Sequence, residues 1–127
     1  SLENDQLWHN VVRQMLVGSA FSHVRYEFRT PETFAELSEI EDGSLDFIMI
    51  DGWDRHGCVL HALRKIKPGG MIYLDNSDKD MTRPDGDLRR AEAALLDGVA
   101  ARSGSVRYFT DFAPTNFFAE QGMMAWL

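Results

Sequence analysis

Apolar positions recur first at helical spacing. Leu7, Trp8, Val11, Val12 and Met15 share a stripe, Asn4 or Asp5 can cap its start, and Gly18 stands where a left-handed residue ends a helix. This predicts a helix over residues 5–17. In VRYEFR the period changes: Val24, Tyr26 and Phe28 alternate with Arg25, Glu27 and Arg29, as in a strand with one wet face near a sheet edge. Thr30 then offers an N-cap and Pro31 the favoured first helical position, predicting a short helix through Phe34 and Leu37.

The middle of the chain loses its alternation. LDFIMI, residues 45–50, and MIYL, residues 71–74, are continuous apolar runs, the pattern of central parallel strands covered on both faces. Between them Val59, Leu60, Leu63 and Ile66 form a helical stripe that Lys67, Pro68, Gly69 and Gly70 terminate, so the three segments make a strand, helix, strand unit. A longer helix is predicted from Asp87 to Arg102, with Leu88, Ala91, Leu95 and Val99 inward, Gly98 inside and Gly104 past its end. VRYF and NFFAEQGMMAWL read as two closing strands, antiparallel if a turn falls near Gln121 and Gly122 or near Pro114. The order predicts one α/β domain over 1–127: an open, mostly parallel sheet with helices on both faces and an antiparallel C-terminal pair.

Composition narrows what such a sheet serves. With 20 acidic and 13 basic side chains among 127 residues the net charge is −7, which repels phosphate backbones and points to a small-molecule substrate, not nucleic acid. Cys58 is the lone cysteine, so no disulfide forms within the chain and a reducing compartment is expected. No apolar run reaches membrane-spanning length and SLENDQ is not a signal peptide, so a soluble cytoplasmic protein is expected.

Ligands of open α/β sheets bind beyond the carboxyl ends of the strands. Asp51 closes the first central strand, and Asp75 with Asn76 closes the second. Carboxylates so close repel or share a proton unless a cation or ligand lies between them; alternatively each caps its own loop. Gly52 allows close backbone approach, and Trp53 offers either a flat wall for a planar ligand or a lid on the next helix. His56 and His61 could serve as bases, but beside an Arg-rich helix start they read first as structural or solvent-facing, and Cys58 as a small buried side chain.

DFIMIDG, LRKIKPGGMIYLDNS and FFAEQGMMAWL together resemble the C-terminal two-thirds of a class I S-adenosylmethionine-dependent methyltransferase. The resemblance implies a Rossmann-like sheet and methyl transfer to a small-molecule acceptor, with an oxygen as one option. ENDQLW resembles the family's segment after its second strand, which makes Glu3 the ribose ligand. Thr30 and Pro31 match the turn bordering the adenine, and Asp51, Gly52 and Trp53 the turn near adenine and substrate. Asp51, Asp75 and Asn76 are similar to the Mg2+ ligands of catechol and caffeoyl-CoA type O-methyltransferases.

Two departures qualify this. The lysine often found three residues past the first aspartate of the metal-dependent enzymes is matched by Asp54, and DG-x-x-R-x-x-C equally resembles relatives of unassigned substrate. The family's glycine-rich cofactor loop is not in these residues, so a fragment or degenerate copy is expected. The strand at 24–29 then either pairs directly with 45–50 or leaves an edge open to a second copy. A non-catalytic methyltransferase-like binding or scaffold module is the alternative. A receiver-type phosphoacceptor domain is a third reading, in which DFIMIDGW ends on the phosphorylated aspartate and Lys79 follows Asp75; the acidic pair it needs is missing.

Overall fold

The computed structural model describes residues 1–112 and 117–127. They gather into two compact units, Ser1–Phe34 and Ala35–Leu127.

In the N-terminal unit, β1 (Leu2–Glu3) pairs in parallel with β2 (Glu27–Phe28), and α1 (Gln6–Leu16) lies between them in sequence. Asp5 is the N-cap, its carboxylate accepting the Trp8 amide at 2.8 Å, and Gly18 takes the left-handed conformation (φ 76°) just past the helix. The buried residue of α1 is His9, stacked on Tyr26 at 4.9 Å and edge-on to Phe28 at 5.7 Å, while Leu7, Trp8, Val11 and Met15 are exposed.

Two expectations fail over residues 24–40. VRYEFR is not a six-residue strand beside 45–50: its ladder is with β1, which has only two residues to offer before the cap of α1 begins. No helix forms at Thr30–Leu37, where separate turns close instead, Thr33 N–H on Thr30 O at 3.1 Å and Ile40 N–H on Leu37 O at 3.1 Å. Phe34 is the one residue of that stretch that is buried, and a single apolar anchor does not offset helix nucleation.

The C-terminal unit carries a four-stranded sheet in the order β3-β4-β6-β5. The strands are β3 (Leu45–Ile50), β4 (Ile66–Leu74), β5 (Ser105–Phe112) and β6 (Ala119–Trp126); the helices are α2 (Arg55–Lys65) and α3 (Asp87–Ala101). β3 and β4 are parallel, joined through α2, and β6 runs antiparallel to both β4 and β5. This is the expected Rossmann-like arrangement with its antiparallel close. An all-parallel receiver sheet would lack that close, which removes the phosphoacceptor reading.

β4 begins five residues earlier than MIYL because KPGG is absorbed as a bulge: Leu45 pairs with Ile66 but Phe47 with Met71. Gly69 takes φ 79° there and donates its amide to Leu127 O, while Gly70 O accepts the Leu127 amide at 3.1 Å. Gln121 and Gly122 do not turn. They pair with Thr110 and Phe109 inside β6, and the alternative turn at Pro114 lies outside the described residues.

One face of this sheet, with Ile50, Ile72, Leu74, Met123 and Ala125, joins Val59, Ala62, Leu88, Ala91, Leu95 and Val99 of the two helices in a single core. The other face carries no helix of this unit. Phe47 and Met49 are therefore 48% and 59% exposed, and β3 is not covered on both faces as its apolar run suggests. No helix among the described residues is long and apolar enough to cross a membrane.

Two glycines mark where elements meet. A Cβ on Gly98 would press into the Leu63 side chain where α3 crosses α2, and one on Gly104 would overlap the main-chain oxygen of Trp126. A leucine tip can rotate away, whereas a main-chain oxygen cannot. Gly104→Ala is therefore expected to lower stability by about 1–3 kcal/mol and Gly98→Ala by less, read from denaturant midpoints; equal effects would contradict the packing described.

Candidate functional site

β3 and β4 end side by side, and the Asp75 amide still donates to Ile50 O at 3.0 Å, so Asp51, Asp75 and Asn76 stand together at the carboxyl end of the parallel pair. The turn to α2 then brings a cation back over them. Arg55, with a side chain only 14% exposed, donates from Nη2 to Asp51 Oδ1 at 3.2 Å and Asn76 Oδ1 at 3.3 Å. Its Nη1 donates to Asp75 O, and its Nε to Gly52 O at 3.1 Å. One planar guanidinium thus ties four consecutive parts of the crevice. Asn76 is buried and left-handed (φ 53°), a conformation asparagine tolerates better than most residues.

The start of α2 is satisfied by carboxylates. Asp54 is its N-cap and accepts the Gly57 amide at 3.1 Å, while Asp87 of α3 accepts the Arg55 amide at 2.8 Å and the His56 amide at 3.1 Å. A Cβ on Gly57 would overlap the Asp54 carboxylate and would displace that cap. Asp54, three residues past Asp51, therefore has a structural task as the cap of α2. Cys58 donates its thiol to Trp53 O at 3.5 Å, and burial pushes the thiol up to about 12, which keeps it protonated and unreactive at neutral pH.

The loop after β4 is held from two sides. Ser77 N–H donates to Gln121 O at 2.7 Å, and Asp78 Oδ1 accepts the Gln121 amide at 3.2 Å. Arg89 of α3 donates to the main-chain oxygens of Ser77 and Lys79 and pairs with Glu92. On the uncovered face, Tyr73 lies over Gly122, where a Cβ would overlap its hydroxyl, and donates to Asp75 Oδ1 at 3.3 Å. Burial, then the Asp75 charge, raises the Tyr73 phenol.

Asp51, Gly52, Asp75 and Asn76 are thus brought together, and Trp53 beside them leaves its side chain 59% exposed. Glu3, Thr30 and Pro31 belong to the N-terminal unit. There Glu3 ends β1 and its Oε1 accepts the Asn4 and Asp5 amides at 2.8 and 2.9 Å, while Thr30 and Pro31 follow β2 at the same end of that small sheet. Reading the residues singly missed Arg55, although its signal was present in the DG-x-x-R spacing, which returns a cation to an aspartate across one turn.

The oxygens attributed to Mg2+ do not fit that ion as they stand. Mg2+ needs ligands at about 2.0–2.1 Å in octahedral array, and the Asp51 and Asn76 oxygens are turned to a guanidinium. Among the described residues no group of three or more His, Cys, Asp or Glu is placed to hold a metal ion. A surface hollow of about 450 Å³ lined by Ile66, Pro68, Arg102 and Leu127 lies at the opposite end of β4.

No protein-family model matches the sequence, and no curated protein does. Solved structures match across nearly the whole chain. An O-methyltransferase from Bacillus cereus in complex with SAH superposes with a TM-score of 0.69 at 18% identity, over 99% of this chain and 60% of that one. An O-methyltransferase from Streptomyces achromogenes involved in tomaymycin synthesis, in complex with SAM, gives 0.65 at 16%, over 99% and 60%. Precorrin-6y C5,15-methyltransferase from Geobacter metallireducens gives 0.57 at 18%, over 99% and 66%. The chain therefore has the class I SAM-dependent methyltransferase fold and spans about 60% of the length of the first of these structures.

Burial, then the bond and charge of Asp75, raises the Asp51 carboxyl above the ordinary aspartate range, with Arg55 and Lys79 opposing less strongly. A raised folded-state value means that folding takes up a proton at Asp51, so this group's contribution to stability falls as pH rises through that window. Asp51→Asn removes the titration. Its Tm relative to wild type should therefore improve as the pH rises above the ordinary aspartate range, and a pH-independent difference in thermal melts would contradict the assignment.

Proposed function

We propose that this chain forms the adenosine and acceptor side of a SAM-dependent methyltransferase acting on a small molecule, with an oxygen as the favoured acceptor atom. The observation that carries the reading is the clamped crevice of Asp51, Gly52, Trp53, Asp75 and Asn76 at the carboxyl ends of β3 and β4, on a fold shared with structures solved with SAH and SAM. When bound, the cofactor supplies a methyl group on a positively charged sulfur.

The chain's own residues suit its adenosine half. Glu3 has one carboxylate oxygen fixed by two amides, and a carboxylate held this way suits a vicinal diol. The exposed Trp53 ring offers a flat wall to a purine. Thr30 and Pro31, on the turn after β2, are proposed to border an adenine, as the family resemblance implies. Placement of the acceptor in line with the methyl group is the main catalytic contribution asked of such a site.

As partner we propose a second copy of this chain, meeting along β3. No described strand pairs with its outer edge, and antiparallel self-pairing centred on Phe47 would set Leu45 opposite Met49 of the other copy with no like charges opposed. Light scattering should then give a dimer mass that Met49→Lys reduces; a monomer at all concentrations would exclude this pairing.

Calorimetry with S-adenosylhomocysteine tests the function. Binding is expected, weakened about 10-fold or more by Glu3→Gln, which loses a charged hydrogen bond, and by a smaller factor by Trp53→Ala. Absence of binding, also in a chain carrying any native residues upstream of Ser1, would favour a non-catalytic module.

A further inference from the structure

The crevice at the ends of β3 and β4 collects more oxygen than an uncharged pocket could hold together: the Asp51 and Asn76 side chains and the main-chain oxygens of Asp51, Gly52 and Asp75 all point to one place. Such a set calls for a cation, and the chain provides one. We propose that Arg55 is the resident cation of this site, a positioning residue standing where a divalent metal would otherwise sit, so that the crevice is assembled without metal.

Three features carry this beyond a surface ion pair. The Arg55 side chain is only 14% exposed, although the Asp51 carboxylate that it meets is 53% exposed, so the arginine charge is partly shielded from solvent on its own side. Its donors reach both strand ends at once: Asp51 and Gly52 after β3, Asp75 and Asn76 after β4. Its own main chain is fixed, because Asp87 of α3 accepts the Arg55 amide at 2.8 Å and Asp54 caps the same helix, so the side chain leaves from a held point. Arginine suits the task because its donors form a rigid planar fork, where lysine is a single point charge on a flexible stem.

A fixed positive charge also keeps a free divalent ion out, by repulsion and by occupying its ligands. Removing that charge should turn the oxygen set into a weak metal site. The inference concerns what holds the strand ends together, and it stands whether or not methyl transfer is the activity.

The test titrates Mn2+ against the full chain, followed by electron paramagnetic resonance of the free ion and by thermal melts. Wild type is expected to bind Mn2+ only weakly and to show no Tm change with it. Arg55→Ala should have a lower Tm, bind Mn2+ at least about 10-fold more tightly than wild type, and recover part of the lost Tm when Mn2+ is added. Adding Asp51→Asn to that variant should abolish both gains, and Arg55→Lys, which keeps the charge, should stay close to wild type in Mn2+ affinity. If Arg55→Ala does not fold, Arg55→Gln takes its place in the same titration. Wild-type Mn2+ binding that Asp51→Asn removes would overturn the proposal. So would an arginine-free variant whose Mn2+ affinity and Tm response equal those of wild type, since that result would leave Arg55 a merely structural bond.

Discussion

The four-way bond of Arg55 across the ends of β3 and β4 is the constraint on which the rest of the site depends. Two parallel strands ending in aspartates set carboxylates and main-chain oxygens about one strand spacing, roughly 4.8 Å, apart. Left alone, that arrangement is repulsive, and the raised Asp51 carboxyl reflects the burial and repulsion that remain. A guanidinium at the beginning of a helix is itself unfavourable, since the N-terminal end of the helix is already positive. Asp54 and Asp87 answer this by placing two carboxylates on the first amides of α2. Carboxylates from α3 and from the helix cap therefore hold the main chain of α2, and the Arg55 side chain carries its charge from there to Asp51 at the strand ends.

That chain of bonds links packing to position. Asp87 begins α3, whose Leu88, Ala91, Leu95 and Val99 fill the core below the sheet, so the helix that anchors the hydrophobic face also delivers the carboxylate that fixes α2. Arg89, two residues along, donates its side chain to main-chain oxygens of the loop after β4, and Gln121 holds the same loop from β6. Gly122 leaves room for Tyr73 to lie across β6 and reach Asp75. Both sides of the sheet thus contribute to where Asp75 stands, although only one side is covered by the helices of this unit. Phe47 and Met49 remain exposed beside a strand edge that no described strand pairs, an arrangement sheets usually protect.

Most of the C-terminal unit was legible in the residues. Period and punctuation place α3 within one residue of its bounds and name all four of its buried positions, because a long amphipathic helix buries a face that its own spacing defines. The strand ends that form the crevice were legible too, because two apolar runs break on aspartate at the same edge. The N-terminal unit was less legible. VRYEFR alternates as a strand should, yet only Glu27 and Phe28 find a ladder, since pairing depends on the length of the partner and not on the alternating segment itself. The stripe of Leu7, Trp8, Val11 and Met15 likewise defines an amphipathic helix without saying which side meets a partner, and the side that is buried carries His9 against Tyr26.

By itself, the sequence determined the kind of sheet, the order of its elements and the acidic character of its ligand edge, all of which follow from local periodicity and from the residues that end each run. Tertiary structure alone decided that the cation of that edge is Arg55, that Asp54 is a cap, and that β3 shows one apolar face to solvent. Those outcomes depend on groups distant in sequence, Asp75 and Asn76 from β4 and Asp87 from α3, arriving at the same few ångströms. A local pattern records which side chains are available, and only the assembled fold determines which charges become neighbours.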